Sequence, residues 1–353
     1  YLELVSCAAL LHDVGHGPYS HVFEEITHTR HEETTARIIN GQTHINMLLC
    51  KKNPGLPGII TGILKGAYSP LFVCNIISSQ LDADRMDYIV RDALMCGVKV
   101  GFDIQRVINS LTIHEEKLVV EEKGIAAVEA YLLARYYMYW QVYLHKTTRI
   151  LDMILVNCLK RAQALNKESL LGEYPYKFSF IFEEKEFNLQ NYLNVDDVDF
   201  IYVIKHWQNH EDKILSDLAN RFIKRKLFKK IINFKTKQIK QLKNRVKRHG
   251  FDPLYYFIMD NKKNTLYDYY NPRTKRHEEI FVLKNGKNVE FSRCSPIIKK
   301  IMGKREETGC YLPAEVRENL LKKQLVQSTV PRLAAAVCGC GFARLFAEPG
   351  NII

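Results

Sequence analysis

No run of this sequence approaches the about 18 consecutive apolar residues that a membrane-crossing helix needs, and its start lacks the positive, apolar and small-residue succession of a cleavable leader. A soluble, cytoplasmic protein without a membrane partner is expected. The nine cysteines form no CxxC framework and lie mostly in apolar surroundings, as reduced core residues do. Cys338 and Cys340 are the one close pair and read as a feature of the tail. Also missing are a GxxxxGK(S/T) loop, a GxGxxG opening a helix, a GxSxG elbow and an HExxH pair, which argues against the chemistries those motifs serve. Acidic residues vanish between Arg221 and Arg248, where 13 Lys or Arg stand, so the net charge of +12 is local. Apolar residues at helical spacing among those lysines predict a solvated basic helix face, with a phosphate-rich ligand or nucleic acid as the alternative. Lysine is absent after Lys323, and residues 326–353 resemble nothing upstream.

What is present centres on residues 10–21, Leu-Leu-His-Asp-Val-Gly-His-Gly-Pro-Tyr-Ser-His. His12 and Asp13 end an apolar helical run and can reach one divalent cation, with Asp84 closing the site from a distant helix. Gly15, Gly17 and Pro18 suit a turn that lets backbone and side chains approach a ligand. Nitrogen with carboxylate ligands favours Mn, Fe, Co, Ni or Zn, and Mg less. Such a centre suits phosphoester hydrolysis. His16, His21 and His31 are candidates for the general acid, with Glu24 and Glu32 to orient them, and spacing does not decide among the three.

Along the chain, a helix is expected over Tyr1 to Leu11, entered without a capping residue, as if the chain began inside an element. Others are expected at Thr34–Ile39 and Ile59–Gly66, and an apolar run at Leu71–Ile77 feeds Asp82, Asp84, Asp87 and Asp92. Positions 84, 88 and 91 share a helical face, so Asp84, Tyr88 and Arg91 are expected to point together, while Asp92 is assigned to capping or an arginine pair. Ile113–Val120 reads as a hairpin, and Gly124–Ala164 as one or two aromatic-rich helices. In the latter, Arg135, Tyr139, Tyr143 and Lys146 form a line that suits a nucleotide. Helix is expected to return from Asp196 to Lys247, followed by strands at Leu254–Met259 and Ile280–Leu283 and a hairpin turn at Asn285-Gly286.

With these residues in hand, the sequence resembles the HD-domain phosphohydrolases, specifically the deoxynucleoside triphosphate triphosphohydrolase branch that contains the sterile-alpha-motif/HD-domain enzymes, and within it the bacterial Firmicutes type. Residues 11–21, His31-Glu32, 78–88 and 135–146 match in order, and the likeness runs to about residue 315. It implies a mostly α protein, an all-helical HD-domain core with a small α+β C-terminal region. The expected divisions are 1–165 for the core, 166–249 for a helical extension with the basic segment, 250–325 for the α+β region and 326–353 for the tail. It further implies metal ligation by His12, Asp13 and Asp84, and acid or orienting roles for His16, His21, Glu24 and His31. Phosphate and sugar contacts fall to Arg85, Tyr88, Arg135, Tyr143, His145 and Lys146. The implied reaction releases a deoxynucleoside and inorganic triphosphate from a dNTP, in a homo-oligomer with a nucleotide activator. The family's first metal-ligating His lies upstream of its His-Asp pair, in an Arg-x-x-His-Ser-type segment, and this sequence starts after that point. Three of four protein ligands are therefore expected here. Another nucleotide substrate, such as an alarmone or a cyclic dinucleotide, and a non-catalytic nucleotide- or nucleic-acid-binding protein are the alternatives.

Overall fold

The computed structural model describes residues 1–174, 178–182, 188–232, 234–265, 270–271, 276–277, 279–301 and 304–317. The tail from 326, with Cys338 and Cys340, lies outside the described residues. The chain is mostly helical with small sheets, as expected. Its first helices are α1 (Leu2–Leu11), α2 (His21–Thr27), α3 (His31–Asn40), α4 (His44–Lys52), α5 (Leu56–Leu64), α6 (Leu71–Ile77) and α7 (Ala83–Met95). Ala8, Leu11, Ile39, Ile60, Val73 and Ile77 form one apolar core behind the end of α1, so the residues after Leu11 emerge from a fixed base.

After α8 (Ile104–Ile108), the hairpin of β1 (Leu111–His114) and β2 (Lys117–Glu121) forms where the alternating pattern predicts it. The aromatic stretch becomes α9 (Ile125–Met138), a π-helical turn (Tyr139–Tyr143) and α10 (Lys146–Lys167). His145 breaks the run, because its backbone is extended and its Nδ1 accepts the Thr147 N–H at 3.3 Å as the cap of α10. The expected line of Arg135, Tyr139, Tyr143 and Lys146 on one helix is therefore interrupted before Lys146.

Next come α11 (Ser179–Phe182), α12 (Leu189–Leu193), α13 (Asp197–Trp207) and α14 (Lys213–Ile223). The helical return expected over Asp196–Lys247 does not persist, since β3 (Lys229–Ile231) separates α14 from α15 (Ile239–Arg248). Arg225 adopts a left-handed φ of 52° just beyond α14, and Phe228 then enters the core beside Cys310 and Leu312. The expected strand at Leu254–Met259 begins instead as α16 (Pro253–Tyr256), because Asp252 accepts the Leu254 N–H at 2.9 Å and Pro253 suits the first helical position. The strand β4 (Ile258–Thr265) follows, then the short pair β5 (Tyr270–Asn271) and β6 (Arg276–His277). The remaining elements are β7 (Phe281–Lys284), β8 (Lys287–Glu290), α17 (Phe291–Cys294), α18 (Pro296–Ile301) and β9 (Lys304–Leu312).

Asn285 and Gly286, with φ of 48° and 72°, close the predicted turn between β7 and β8. The hairpin joins β1 and β2 in the order β1-β2-β7-β8, with β2 and β7 parallel. Val282 and Phe291 thereby share a core with Met86, Ile89, Tyr131 and Met138 under α7 and α9. A second antiparallel sheet, β3-β9-β4, shares a core with α2, α10, α13 and α14. Among the described residues no helix is long and apolar enough to cross a membrane, and the described cysteines are free thiols.

Candidate active site and metal centre

Residues 12–20 form a turn anchored from both sides. The Thr35 hydroxyl accepts the Gly15 N–H at 3.0 Å and donates to the His12 carbonyl at 3.1 Å, and the Tyr192 hydroxyl donates to the Gly15 carbonyl at 2.6 Å. A Cβ on Gly15 would lie 2.3 Å from the His31 carbonyl oxygen and the Thr35 nitrogen, so only glycine fits against α3. Ser20, at φ 50°, then turns the chain into α2.

His12 Nδ1 donates to the Ala9 carbonyl at 2.7 Å, which turns Nε2 and its proton toward the carboxylates. That Nε2 is buried without a hydrogen-bond partner and stands 3.4 Å from both Asp13 Oδ2 and Asp84 Oδ1. Asp84 reaches it from the first turn of α7, which starts where Asp82 accepts the Arg85 N–H at 2.7 Å. Asp84, then the Ala9 carbonyl and Asp13, raise the His12 ring to about 9, against the opposing effect of burial. A buried imidazole nitrogen with no partner between two carboxylates has the donor chemistry of a divalent metal centre, and a cation there would displace that proton. His12 with Asp13 and Asp84 offers the nitrogen and oxygen donors that the implied metal takes, although these three do not form one of the compact donor groups among the described residues.

Asp13 also faces the other way, with Oδ1 3.8 Å from His16 Nε2. The His16 ring stacks on His31 with centroids 3.8 Å apart, and its Nδ1 hydrogen-bonds with Ser20 Oγ at 3.0 Å. Burial, then the neighbouring His31, holds His16 below the usual histidine range. Glu24 accepts from His21 Nδ1 at 2.9 Å, from the His31 N–H at 2.8 Å and from His31 Nδ1. Burial would raise its carboxyl, but these bonds outweigh it and hold it at about 2. Two donor groups, Asp13-His16-His31 and His21-Glu24-His31, are each compact to within 4.8 Å. Glu32, the other expected orienting carboxylate, is 3.7 Å from His31 Nδ1 and pairs with Arg30 at 3.2 Å.

The aromatic and cationic candidates assemble on α7, α9 and the π-helical turn. Arg85 is turned onto the Ser79 carbonyl and the buried Asp82 carboxylate. Tyr88 packs edge-on against Tyr143 with centroids 5.8 Å apart, and Tyr143 against Tyr139 at 5.1 Å. Burial, then Tyr139, raises the Tyr88 phenol despite the charges of Arg85 and Arg135. One guanidinium nitrogen of Arg135, Nη1, is buried without a partner. Tyr143 donates to Asp92 Oδ2 at 2.7 Å, so Asp92 serves this phenol rather than an arginine. Arg91 does not join Asp84 and Tyr88, because its guanidinium is exposed and held by Asp87 at 2.9 Å, one turn back. His145 and Lys146 are exposed at the head of α10, with no hydrogen bond to the histidine cluster.

The sequence assigned no role to Thr35, Tyr192, Asp82 or Ser20. Asp82 and Ser20 carried a local signal, as N-cap residue types directly before helical runs.

The HD domain model matches residues 2–86, and the HD associated region matches 102–171 and 177–329. The Bacillus subtilis protein YwfO is 41% identical over 322 residues, covering 89% of this chain and 74% of its own length. The crystal structure of a phosphohydrolase from Bacteroides thetaiotaomicron superposes with a TM-score of 0.75 at 30% identity, covering 88% of this chain and 79% of that one. The deoxynucleoside triphosphate triphosphohydrolase SAMHD1 homolog of Dictyostelium discoideum is 24% identical over 189 residues, half of this chain and 37% of its own.

Proposed function

The chain belongs to the HD-domain phosphohydrolases that carry the HD associated region, and from that premise we propose that it hydrolyses dNTPs to a deoxynucleoside and inorganic triphosphate. The observation that carries the hydrolase reading is the buried His12 Nε2, 3.4 Å from both Asp13 and Asp84, with Asp13 in turn 3.8 Å from His16 in the cluster of His16, His31, Glu24 and His21. In this reading His12, Asp13 and Asp84 would hold a divalent cation, which would supply Lewis-acid polarisation of a phosphoryl oxygen. Water attacks the α-phosphorus, the bond from phosphorus to O5′ breaks, and the leaving oxygen takes a proton. His21 is assigned as that acid: Glu24 orients it through Nδ1, and its ring is exposed on the substrate side of the turn. His31, braced by the same carboxylate, keeps His16 stacked beneath the phosphate. Burial and the charge of His31 keep His16 neutral near pH 7, able to donate one hydrogen bond to a phosphate oxygen.

The dNTP assignment draws support from Tyr143, Tyr88 and Arg135, and from the Dictyostelium relative, which is named a deoxynucleoside triphosphate triphosphohydrolase. In this reading Tyr143, fixed by Asp92, lies beneath the sugar and disfavours a 2′-hydroxyl; phosphate contacts are assigned to Arg135, His145 and Lys146, and to Arg85 once it turns from Ser79 and Asp82. A homo-oligomer with a nucleotide activator belongs to the same reading. Product analysis tests it: the full-length protein with Mn or Mg should convert a dNTP to deoxynucleoside and triphosphate, and release of monophosphate or pyrophosphate would refute it. A substrate panel containing an alarmone and a cyclic dinucleotide separates the neighbouring hydrolase readings.

A nucleic-acid reading draws on Lys240, Lys243, Lys247 and Arg248, which are exposed along α15. It is weakened because Arg221 is buried against Asp217 and Glu315, and Lys230 is paired with Glu307. Binding that weakens steeply with salt is its signature.

A further inference from the structure

Two charged side chains on β4 are withdrawn from water although neither belongs to the histidine cluster. Asp260 is 1% exposed and Lys262 is 5% exposed. Removing either ion from water is costly unless its partners are well placed. Two residues apart on a strand, they share one face. Asp260 Oδ1 accepts from Arg149 Nε at 2.9 Å and from Arg149 Nη2, and Arg149 stands in the first turn of α10. Lys262 Nζ donates to the carbonyl of Leu144, the residue that ends the π-helical turn. One face of β4 thus grips the chain on both sides of His145.

Leu144 directly follows Tyr143, so the ring is fixed at two ends. Its hydroxyl is tied to Asp92 on α7, and the backbone beyond it is tied to β4. The tie runs over 118 residues of sequence and comes from the sheet β3-β9-β4, where Lys262 sits opposite Glu307 in register. Burial, then the charge of Lys230, holds the Lys262 ammonium below the usual lysine range. An apolar residue would fill this space at lower electrostatic cost, which makes a purely packing role a poor account of a lysine here.

We propose that Lys262 is a positioning residue for the nucleotide sugar: by holding the Leu144 carbonyl it fixes the ring of Tyr143 and thereby sets the preference for deoxyribose over ribose. This inference rests on the dNTP reading above. The π-helical turn is the element that makes the tie matter, because its i to i+5 spacing widens the backbone where the ring is carried.

The test measures kcat/KM for a dNTP and its matching NTP in the full-length wild type, Lys262→Met and Lys262→Arg. Lys262→Met should lower the dNTP-to-NTP ratio on the order of five-fold, the scale of one lost hydrogen bond, with KM for the dNTP rising more than kcat falls. Lys262→Arg, which keeps a donor, should recover most of the ratio. In a Tyr143→Phe background Lys262→Met should change the ratio little further, since both act on one ring. Should Lys262→Met not fold, Lys262→Gln, whose shorter side chain withdraws from Leu144, carries the same expectation. A folded variant with the wild-type ratio, or a double variant with additive effects, overturns the inference alone. A wild type that releases no triphosphate from any dNTP overturns the substrate reading and this inference with it.

Discussion

His12, Asp13, His16, His21, Glu24 and His31 come from one stretch of twenty residues, whereas Tyr88, Arg135 and Tyr143 come from three elements and are braced from a fourth, β4. The first region is mostly local. Its turn is set by Gly15 against Thr35, with a further tie from Tyr192 that spans 177 residues, and most of its side chains bond each other within 7 residues. The second region holds its geometry through long-range ties, such as Tyr143 to Asp92 over 51 residues and Lys262 to Leu144 over 118. Chemistry common to a family can reside in a local cluster, while substrate choice depends on how distant elements meet.

The largest expected effect separates the two regions outright. Asp84→Ala should cost more than about 100-fold in activity, since even outer partners of a metal site give that much, and should abolish stoichiometric metal uptake while the fold persists. Metal analysis beside circular dichroism checks it. Asp92→Ala, in the second region, should retain the metal. It should lower dNTP turnover by about ten-fold, the loss of one buried charge-assisted bond to Tyr143.

Gly15→Ala tests how tightly the local turn is built. The added methyl meets the His31 carbonyl and the Thr35 amide at 2.3 Å, so destabilisation of about 1–3 kcal/mol is expected in denaturant titration, with loss of activity alongside. A variant of wild-type stability would show that α3 yields easily.

The pH response sharpens the contrast further. Glu24 is held at about 2 in the folded chain against an ordinary value of 4.5. A carboxyl lowered by folding binds fewer protons in the native state, so its stabilising contribution is complete above about pH 4.5 and is lost as pH falls toward 2. Glu24→Gln should therefore flatten the acid limb of stability and leave the difference largest at neutral pH. The smallest effect belongs to Arg91→Ala: its exposed pair with Asp87 should leave melting temperature and turnover unchanged.

The sequence announced the local region well because its signals are short-range. A His-Asp pair after an apolar helix, with Gly15 and Gly17 beyond it, needs only a few residues to be read. The Asn285-Gly286 turn and the hairpin near Ile113 were legible for the same reason. What escaped depends on partners far along the chain. Asp92 has no local mark that separates a Tyr143 acceptor from an arginine partner. Thr35 looks like any helical threonine until Gly15 packs on it. The basic segment read as one helix because its apolar spacing allows it, yet β9 recruits Lys229–Ile231 as a strand from some 80 residues away. Lys262 reads as a surface lysine in the polar run Asn261-Lys-Lys-Asn264, and only the sheet register turns it inward.

The most direct test measures metal content and product identity on one preparation of the full-length protein, beside Asp84→Ala. The account predicts one tightly held divalent metal per chain and triphosphate release from a dNTP in the wild type, with both lost in the variant. Metal-independent triphosphate release, or an Asp84→Ala protein that still turns over dNTPs at the wild-type rate, would contradict it.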